Sequence, residues 1–252
     1  MKLIICGKGG SGKSTITSLL AHEYARTNHN VLIVDTDESN GGLHRLLGTK
    51  VPKDLLHYFG GKQGIKEKMP SKKPDCATNQ LFDWPLSIDT IPEEYISKNG
   101  SVSLVSIGKI THSGEGCACP MGMLSRQFLK SLTLEKNDVV IIDTEAGIEH
   151  FGRGIDAEAD CVLMVVDPSF ESVGLAHTIT SMIKELDMPF YYVLNRVTPE
   201  ISSKIRSSLE NPENIIAEIP EDSKILTNGL MGTPITEAYP PILTLIKGIQ
   251  QA

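Results

Sequence analysis

The chain predicts an α/β protein built on a doubly wound, mostly parallel sheet of about seven strands flanked by helices. Three observations carry this expectation. Continuous apolar, β-branched runs recur along the chain, as suits strands buried on both faces of a parallel sheet. Helical patterns fill most of the intervals between those runs. A glycine-rich turn joins the first run to the first helical pattern. A length of 252 residues is enough for one domain over 1–252 with a sizeable core.

The first run is Leu3-Ile4-Ile5-Cys6, and a helical pattern covers 14–27. The second run, Val31-Leu32-Ile33-Val34, leads into Asp35-Thr36-Asp37. Residues 57–100 then break the rhythm with Gly60-Gly61, lysines at 62, 66, 68, 72 and 73, and prolines at 70, 74, 85 and 92. This stretch reads as an insertion with short elements, its lysines forming a solvated face. A third run lies at 102–107, followed by a cysteine-bearing loop at about 111–120 and a helical pattern at 122–134. Runs at 139–142, 162–166, 190–194 and 215–219 alternate with helical patterns at 171–187, 200–209 and 235–250. The last pattern places Ile242, Leu243, Leu245, Ile246 and Ile249 at helical spacing with Lys247 as its only basic residue, which suits core packing better than a membrane surface. Doubly wound sheets bind ligands at the carboxyl ends of their strands.

Twenty-four Lys and Arg against 31 Asp and Glu give a formal charge of −7, which argues against broad nucleic-acid binding. No apolar run approaches the ~20 residues of a membrane span. The start, Met-Lys and then a strand, has no signal-peptide pattern, so a cytoplasmic location without membrane partners is expected. Five cysteines in a reducing compartment are core residues, reactive thiols or metal ligands rather than a disulfide framework.

Gly7-Lys8-Gly9-Gly10-Ser11-Gly12-Lys13-Ser14 fits G-x-x-x-x-G-K-[ST], the phosphate-cradling P-loop, in the strand–loop–helix context the motif requires. Glycines let backbone N–H groups turn inward around anionic oxygens, and the helix N-terminus adds positive potential. Gly9, Gly10, Ser11, Gly12, Lys13, Ser14 and Thr15 are therefore the candidate phosphate-binding residues. Lys13 would reach the β- and γ-phosphates, and the Ser14 hydroxyl would hold Mg²⁺. Asp37 is either the start of a polar loop or a carboxylate that binds Mg²⁺ or orients an attacking water. Asp143 ends the run at 139–142 in the Walker B position, a carboxylate at a strand tip facing the metal.

Asn195-Arg196 follows another strand. An Asn amide carries both a donor and an acceptor and can read a purine edge. A guanine-reading N-K-x-D motif would place Asp at 198, where Thr198 stands, so ATP is favoured over GTP. In Ile219-Pro220-Glu221-Asp222, the residues Pro220 and Glu221 either line the base pocket through their backbone or form an ordinary turn.

Gly116-Cys117-Ala118-Cys119-Pro120 is the second candidate constellation. Two cysteines at i and i+2 of an extended segment point to one side and could chelate one soft or borderline ion. The helix that Pro120 would begin favours a thiolate at its N-terminus. One chain supplies only two sulfurs, whereas Zn²⁺ or Ni²⁺ takes four ligands, and a two-fold dimer would bring the other pair. Spacing alone leaves this reading open beside that of two free thiols in a packed loop.

Lys8 within K-G-G-x-G-K-[ST], then D-x-D, D-x-x-A-G-I-E from Asp143, the Asn-Arg pair and I-P-E-D together resemble the deviant Walker A ATPases. That superfamily includes MinD, ParA, the arsenite-pump ATPase and the nitrogenase iron protein, and the resemblance spans about residues 1–240. It implies an ATPase that works as a nucleotide-dependent homodimer. The lysine matching Lys8 would reach the partner's phosphates, and the aspartate matching Asp37 would position the attacking water. Glu38 stands where many members have proline, and Ser11 where an aliphatic residue is common. The C-x-C ahead of the Walker B strand, with Asp143 to His150, further resembles the CooC-type ATPases of nickel insertion. That resemblance implies Ni²⁺ or Zn²⁺ on Cys117 and Cys119 at the dimer interface. It also implies a metalloenzyme client, either carbon monoxide dehydrogenase or acetyl-CoA synthase. The alternatives are a ParA/MinD-like positioning ATPase and an iron–sulfur redox or carrier ATPase.

Overall fold

In the computed structural model, which describes residues 1–68, 81–82, 85–110, 119–148, 154–184, 186 and 188–251, every apolar run is a strand. These are β1 (Lys2–Gly7), β2 (Asn30–Asp35), β4 (Val102–Ser106), β5 (Asp138–Asp143), β6 (Cys161–Val166), β7 (Phe190–Asn195) and β8 (Ile215–Ile219). The expected count of about seven is one short. A further strand, β3 (Ser97–Asn99), lies inside the segment read as an insertion and pairs antiparallel with β4. Its three residues, Ser-Lys-Asn, are polar, and hydrogen bonds to β4 rather than burial define it. The eight-stranded sheet runs β3-β4-β2-β5-β1-β6-β7-β8, and all its pairings except β3–β4 are parallel.

Side chains alternate between the two faces of a strand, and both faces of this sheet are covered. Leu3, Ile5, Val31, Ile33, Val139 and Ile141 face one layer, where Ile16, Leu20 and Tyr24 of α1 (Lys13–Arg26) pack beside Leu43 and Leu47 of α2 (Leu43–Leu47). Ile4, Cys6, Leu32, Val34, Val140 and Ile142 face the opposite layer. There Leu55 of α3 (Leu55–Tyr58), Ile65 of α4 (Gly61–Lys68) and Leu124 and Phe128 of α5 (Cys119–Ser131) close the core. Ile179 and Ile183 of α6 (Phe170–Lys184) and Ile205 of α7 (Pro199–Ser208) extend the same layer. Leu3 to Cys6 have no exposed surface. Each large apolar side chain buried this way contributes about 1.5–3 kcal/mol relative to exposure.

Two helices follow β8: α8 (Ser223–Met231), absent from the sequence expectation, and α9 (Pro240–Gln251). The pattern at 235–250 becomes helical only from Pro240, whose fixed φ suits a first turn. Ile242, Leu245 and Ile246 bury against the first layer, as the spacing predicts. Among the described residues no helix is long and apolar enough to cross a membrane.

Candidate functional site

The carboxyl ends of β1, β2, β5, β6 and β7 converge on the P-loop. β1 sits between β5 and β6, so the chain leaves it in one direction and later passes to its other side; this is the switch point where open α/β sheets bind ligands. Gly12 precedes α1 in a left-handed conformation, φ 100°, and a Cβ there would lie 2.3 Å from the Asn195 side-chain nitrogen. Only glycine fits both constraints. Ser11 N–H donates to the Lys8 carbonyl at 3.1 Å, closing the loop on itself. The buried Lys13 ammonium donates to the Gly7 and Lys8 carbonyls, each at 3.3 Å.

Ser14 and Asp143 meet as the sequence expects: Ser14 Oγ donates to Asp143 Oδ2 at 2.8 Å. Thr17 Oγ1 donates to the other carboxylate oxygen at 3.1 Å, and Asn40 Nδ2 donates to Ser14 Oγ at 2.9 Å. Asp143 is wholly buried, and burial pushes its carboxyl up to about 6, with the Ser14 hydrogen bond and the Lys13 charge pulling the other way. Its register neighbour on β2, Asp35, is pushed by burial up to about 7, although the Lys109 ammonium at 2.6 Å opposes the shift. Hydroxyl and carboxylate oxygens around one point are the donors a hard divalent cation takes, so this set fits Mg²⁺.

Asp37 caps its own turn: Oδ1 accepts from Ser39 N–H at 2.9 Å, Ser39 Oγ at 2.7 Å and Asn40 N–H at 3.2 Å. The Lys8 ammonium lies 3.8 Å from Asp167 Oδ2, just beyond β6. Asn195 Nδ2 donates to the Ser11 carbonyl at 2.7 Å, and Arg196, itself at φ 60°, donates to the Gly10 carbonyl at 2.9 Å. The pair that the sequence assigns to the base therefore also clasps the P-loop. Beside it a cavity of about 370 Å³ is lined by Thr15, Leu19, Asn195, Arg196, Pro220, Glu221 and the α8 residues Ile225, Leu226 and Leu230. Gly9 and Gly10 lie on the outer turn of the loop, exposed.

Cys119 is the first residue of α5 and is exposed; Cys117 and His150 lie outside the described residues, as does Cys76. Cys6 and Cys161 are core residues, and burial raises both thiols to about 12.

Sequence reasoning missed Thr17, Asn40, Lys109 and Asp167. Thr17 carried a signal, since it stands three residues after Ser14 on the same helical face. The other three reach the site from loops distant in sequence, and no local pattern marks them.

Over residues 2–235 the chain matches the CobQ/CobB/MinD/ParA nucleotide binding domain. It is 44% identical to an uncharacterized ATP-binding protein, MJ0084, of Methanocaldococcus jannaschii, over 98% of each chain. It is 27% identical to the carbon monoxide dehydrogenase accessory protein CooC of Rhodospirillum rubrum, over 89% of this chain and 85% of that one. The septum site-determining protein MinD of Pyrococcus horikoshii, complexed with Mg-ADP, superimposes with a TM-score of 0.70 at 19% identity, over 99% of this chain and 96% of that one.

Proposed function

We propose, for a chain that belongs to the CobQ/CobB/MinD/ParA nucleotide-binding family and is a P-loop ATPase, that it works as a nucleotide-switched homodimer of the MinD/ParA positioning kind. The Ser14–Asp143–Thr17 cluster at the foot of α1 carries the nucleotide part of this reading, and the likeness to MinD supports the positioning part. In this reading the loop from Gly9 to Thr15 and Lys13 hold the phosphates of ATP. Ser14 and Asp143 would hold Mg²⁺ directly or through water, and the chemistry it would supply there is neutralisation of phosphate charge. Asp37 orients the attacking water. Asn195 meets the adenine, while Arg196, Pro220 and Glu221 shape the rest of its pocket. Lys8 leaves Asp167 and reaches the phosphates in the partner subunit, a positive charge supplied in trans.

ATP then favours the closed dimer, which docks on a partner and releases it after hydrolysis. The acidic charge and the single basic residue of α9 count against DNA or anionic lipid as that partner. Sedimentation with a non-hydrolysable ATP analogue and Mg²⁺ tests the switch. Wild type should dimerise and Lys13→Ala should not. A wild type that stays monomeric at saturating analogue would defeat it.

A second reading is nickel handling for carbon monoxide dehydrogenase or acetyl-CoA synthase. It is favoured by the exposed Cys119 at a helix start, the C-x-C it forms with Cys117, and the similarity to CooC. Four thiolates, two from each subunit, would hold one Ni²⁺ or Zn²⁺ as cargo. Titration of metal-free protein separates the readings. One ion per dimer, lost in Cys117→Ser/Cys119→Ser, supports metal handling. No binding above the double variant's background leaves the positioning reading alone.

A further inference from the structure

The segment 106–110, which leaves β4 toward Cys119, is stitched to the loop that carries Asp37. Ile107 N–H donates to the Asp35 carbonyl at 3.0 Å, and Ile110 N–H donates to the Glu38 carbonyl at 3.0 Å. Between them the Lys109 ammonium bridges the loop twice, to the Asp35 carboxylate at 2.6 Å and to the Asp37 carbonyl. The segment is anchored from behind, where Asp54 accepts from Ser106 Oγ at 2.5 Å and from Lys109 N–H at 3.2 Å. On its far side Gly108 touches the first turn of α5, and a Cβ on it would lie 2.8 Å from the sulfur of the buried Met121. Met121 is two residues beyond Cys119 in the same turn. One side chain thus ties the Asp37 loop to a ribbon that is itself packed against the helix end bearing Cys119.

We propose that Lys109 is a positioning residue for ATP hydrolysis, fixing the Asp35–Glu38 loop and coupling its position to the Cys119 end of α5. This rests on the reading of Asp37 as the residue that orients the attacking water. Lys109 holds the Asp35 carboxyl at 2.6 Å, and Asp35 is the register neighbour of Asp143, so the bridge anchors the loop beside the Ser14–Asp143 cluster. Its bond to the Asp37 carbonyl sets where that residue's backbone lies, and a movement of the loop is carried to Gly108 and Met121. Packed interfaces respond to such shifts by switching rather than by gradual deformation.

The test measures single-turnover ATP hydrolysis and nucleotide affinity on the full chain, with alkylation of Cys119 by iodoacetamide followed by mass spectrometry. Lys109→Met should lose about a hundredfold in rate, the scale of a ~1 Å misplacement, while nucleotide affinity stays within about twofold. Lys109→Arg should recover most of the rate. In wild type the Cys119 alkylation rate should differ between ADP and a non-hydrolysable ATP analogue, and in Lys109→Met the two rates should coincide. A lone buried Asp35 could disturb folding, so Lys109→Met/Asp35→Asn is included; it should fold and remain slow. Lys109→Met hydrolysing at the wild-type rate overturns the proposal, and so does a loss of affinity equal to the loss of rate. Asp37→Asn at full rate removes the underlying reading and the proposal with it. Asp37→Asn slow beside Lys109→Met at full rate overturns the proposal alone.

Discussion

At the scale of single residues, Asp143 and Asp35 set a pH dependence whose sign can be worked out. Both carboxyls are buried, and burial raises them to about 6 and about 7 from an ordinary value near 4. Between those limits the native state holds protons that the unfolded chain has lost. Stability therefore falls as pH rises through the window from about 4 to about 7. One pKa unit corresponds to ~1.4 kcal/mol, so shifts of roughly two and three units set an upper bound of about 7 kcal/mol on the combined loss. A cation beside Asp143 opposes its share of that loss. The melting temperature of nucleotide-free protein should drop between pH 5 and pH 8, and Mg·ADP should flatten the drop. A flat profile that Mg·ADP leaves unchanged would contradict the burial argument. Gly12 offers a sharper local test. An alanine there adopts φ near 100° only with strain and drives its Cβ into Asn195. Gly12→Ala should keep its sheet signature by circular dichroism and lose nucleotide binding by at least about tenfold, as read by titration with a fluorescent ATP analogue.

At the scale of elements, α8 shows why part of the site was not legible. Its sequence, with Thr227, Asn228 and Gly229, has low helix propensity, and none of its residues is fully buried. What holds it is Asp222, whose Oδ1 accepts from Lys224 N–H at 2.8 Å and Ile225 N–H at 3.1 Å. Read as the end of I-P-E-D, that aspartate gave no hint of a helix start. The core strands were legible because both faces are buried and the runs are continuous; β3 was not, because it is polar and owes its existence to β4. The P-loop, Ser14 and Asp143 were legible because motif and context sit together in sequence. Asn40, Lys109 and Asp167 act through contacts that only the folded sheet creates. The cap makes a prediction at this scale. Asp222→Ala should cost about 1 kcal/mol locally. Since α8 contributes little to the core but lines the cavity proposed for the base, nucleotide affinity should weaken several-fold while the melting temperature hardly moves. A large fall in melting temperature with intact affinity would show that the helix matters to the core instead.

At the scale of the whole molecule, the question is what holds Lys8 before a partner arrives. Its ammonium lies 3.8 Å from Asp167 Oδ2, with 32% of the Lys8 side chain and 13% of the Asp167 side chain exposed. A contact this long and this accessible to water is worth about 0–1 kcal/mol. It is strong enough to bias Lys8 toward its own chain and weak enough for a partner's nucleotide to compete. On the proposed trans role, the charge that would serve the partner's phosphates is held in cis in the single chain. If Lys8 serves the opposite subunit, removing its cis partner should make dimerisation easier. Asp167→Ala should shift the dimerisation midpoint in the presence of the ATP analogue to lower protein concentration, by up to about thirtyfold, because each dimer breaks two such contacts of up to ~1 kcal/mol. Lys8→Ala should shift it the other way and slow hydrolysis, and the double variant should behave as Lys8→Ala alone because the cis contact no longer has a cation to hold. Analytical ultracentrifugation across a concentration series reads all three. A Lys8→Ala chain that dimerises and hydrolyses like wild type would place the trans charge elsewhere, with Lys8 then serving only to anchor Asp167 beside the P-loop.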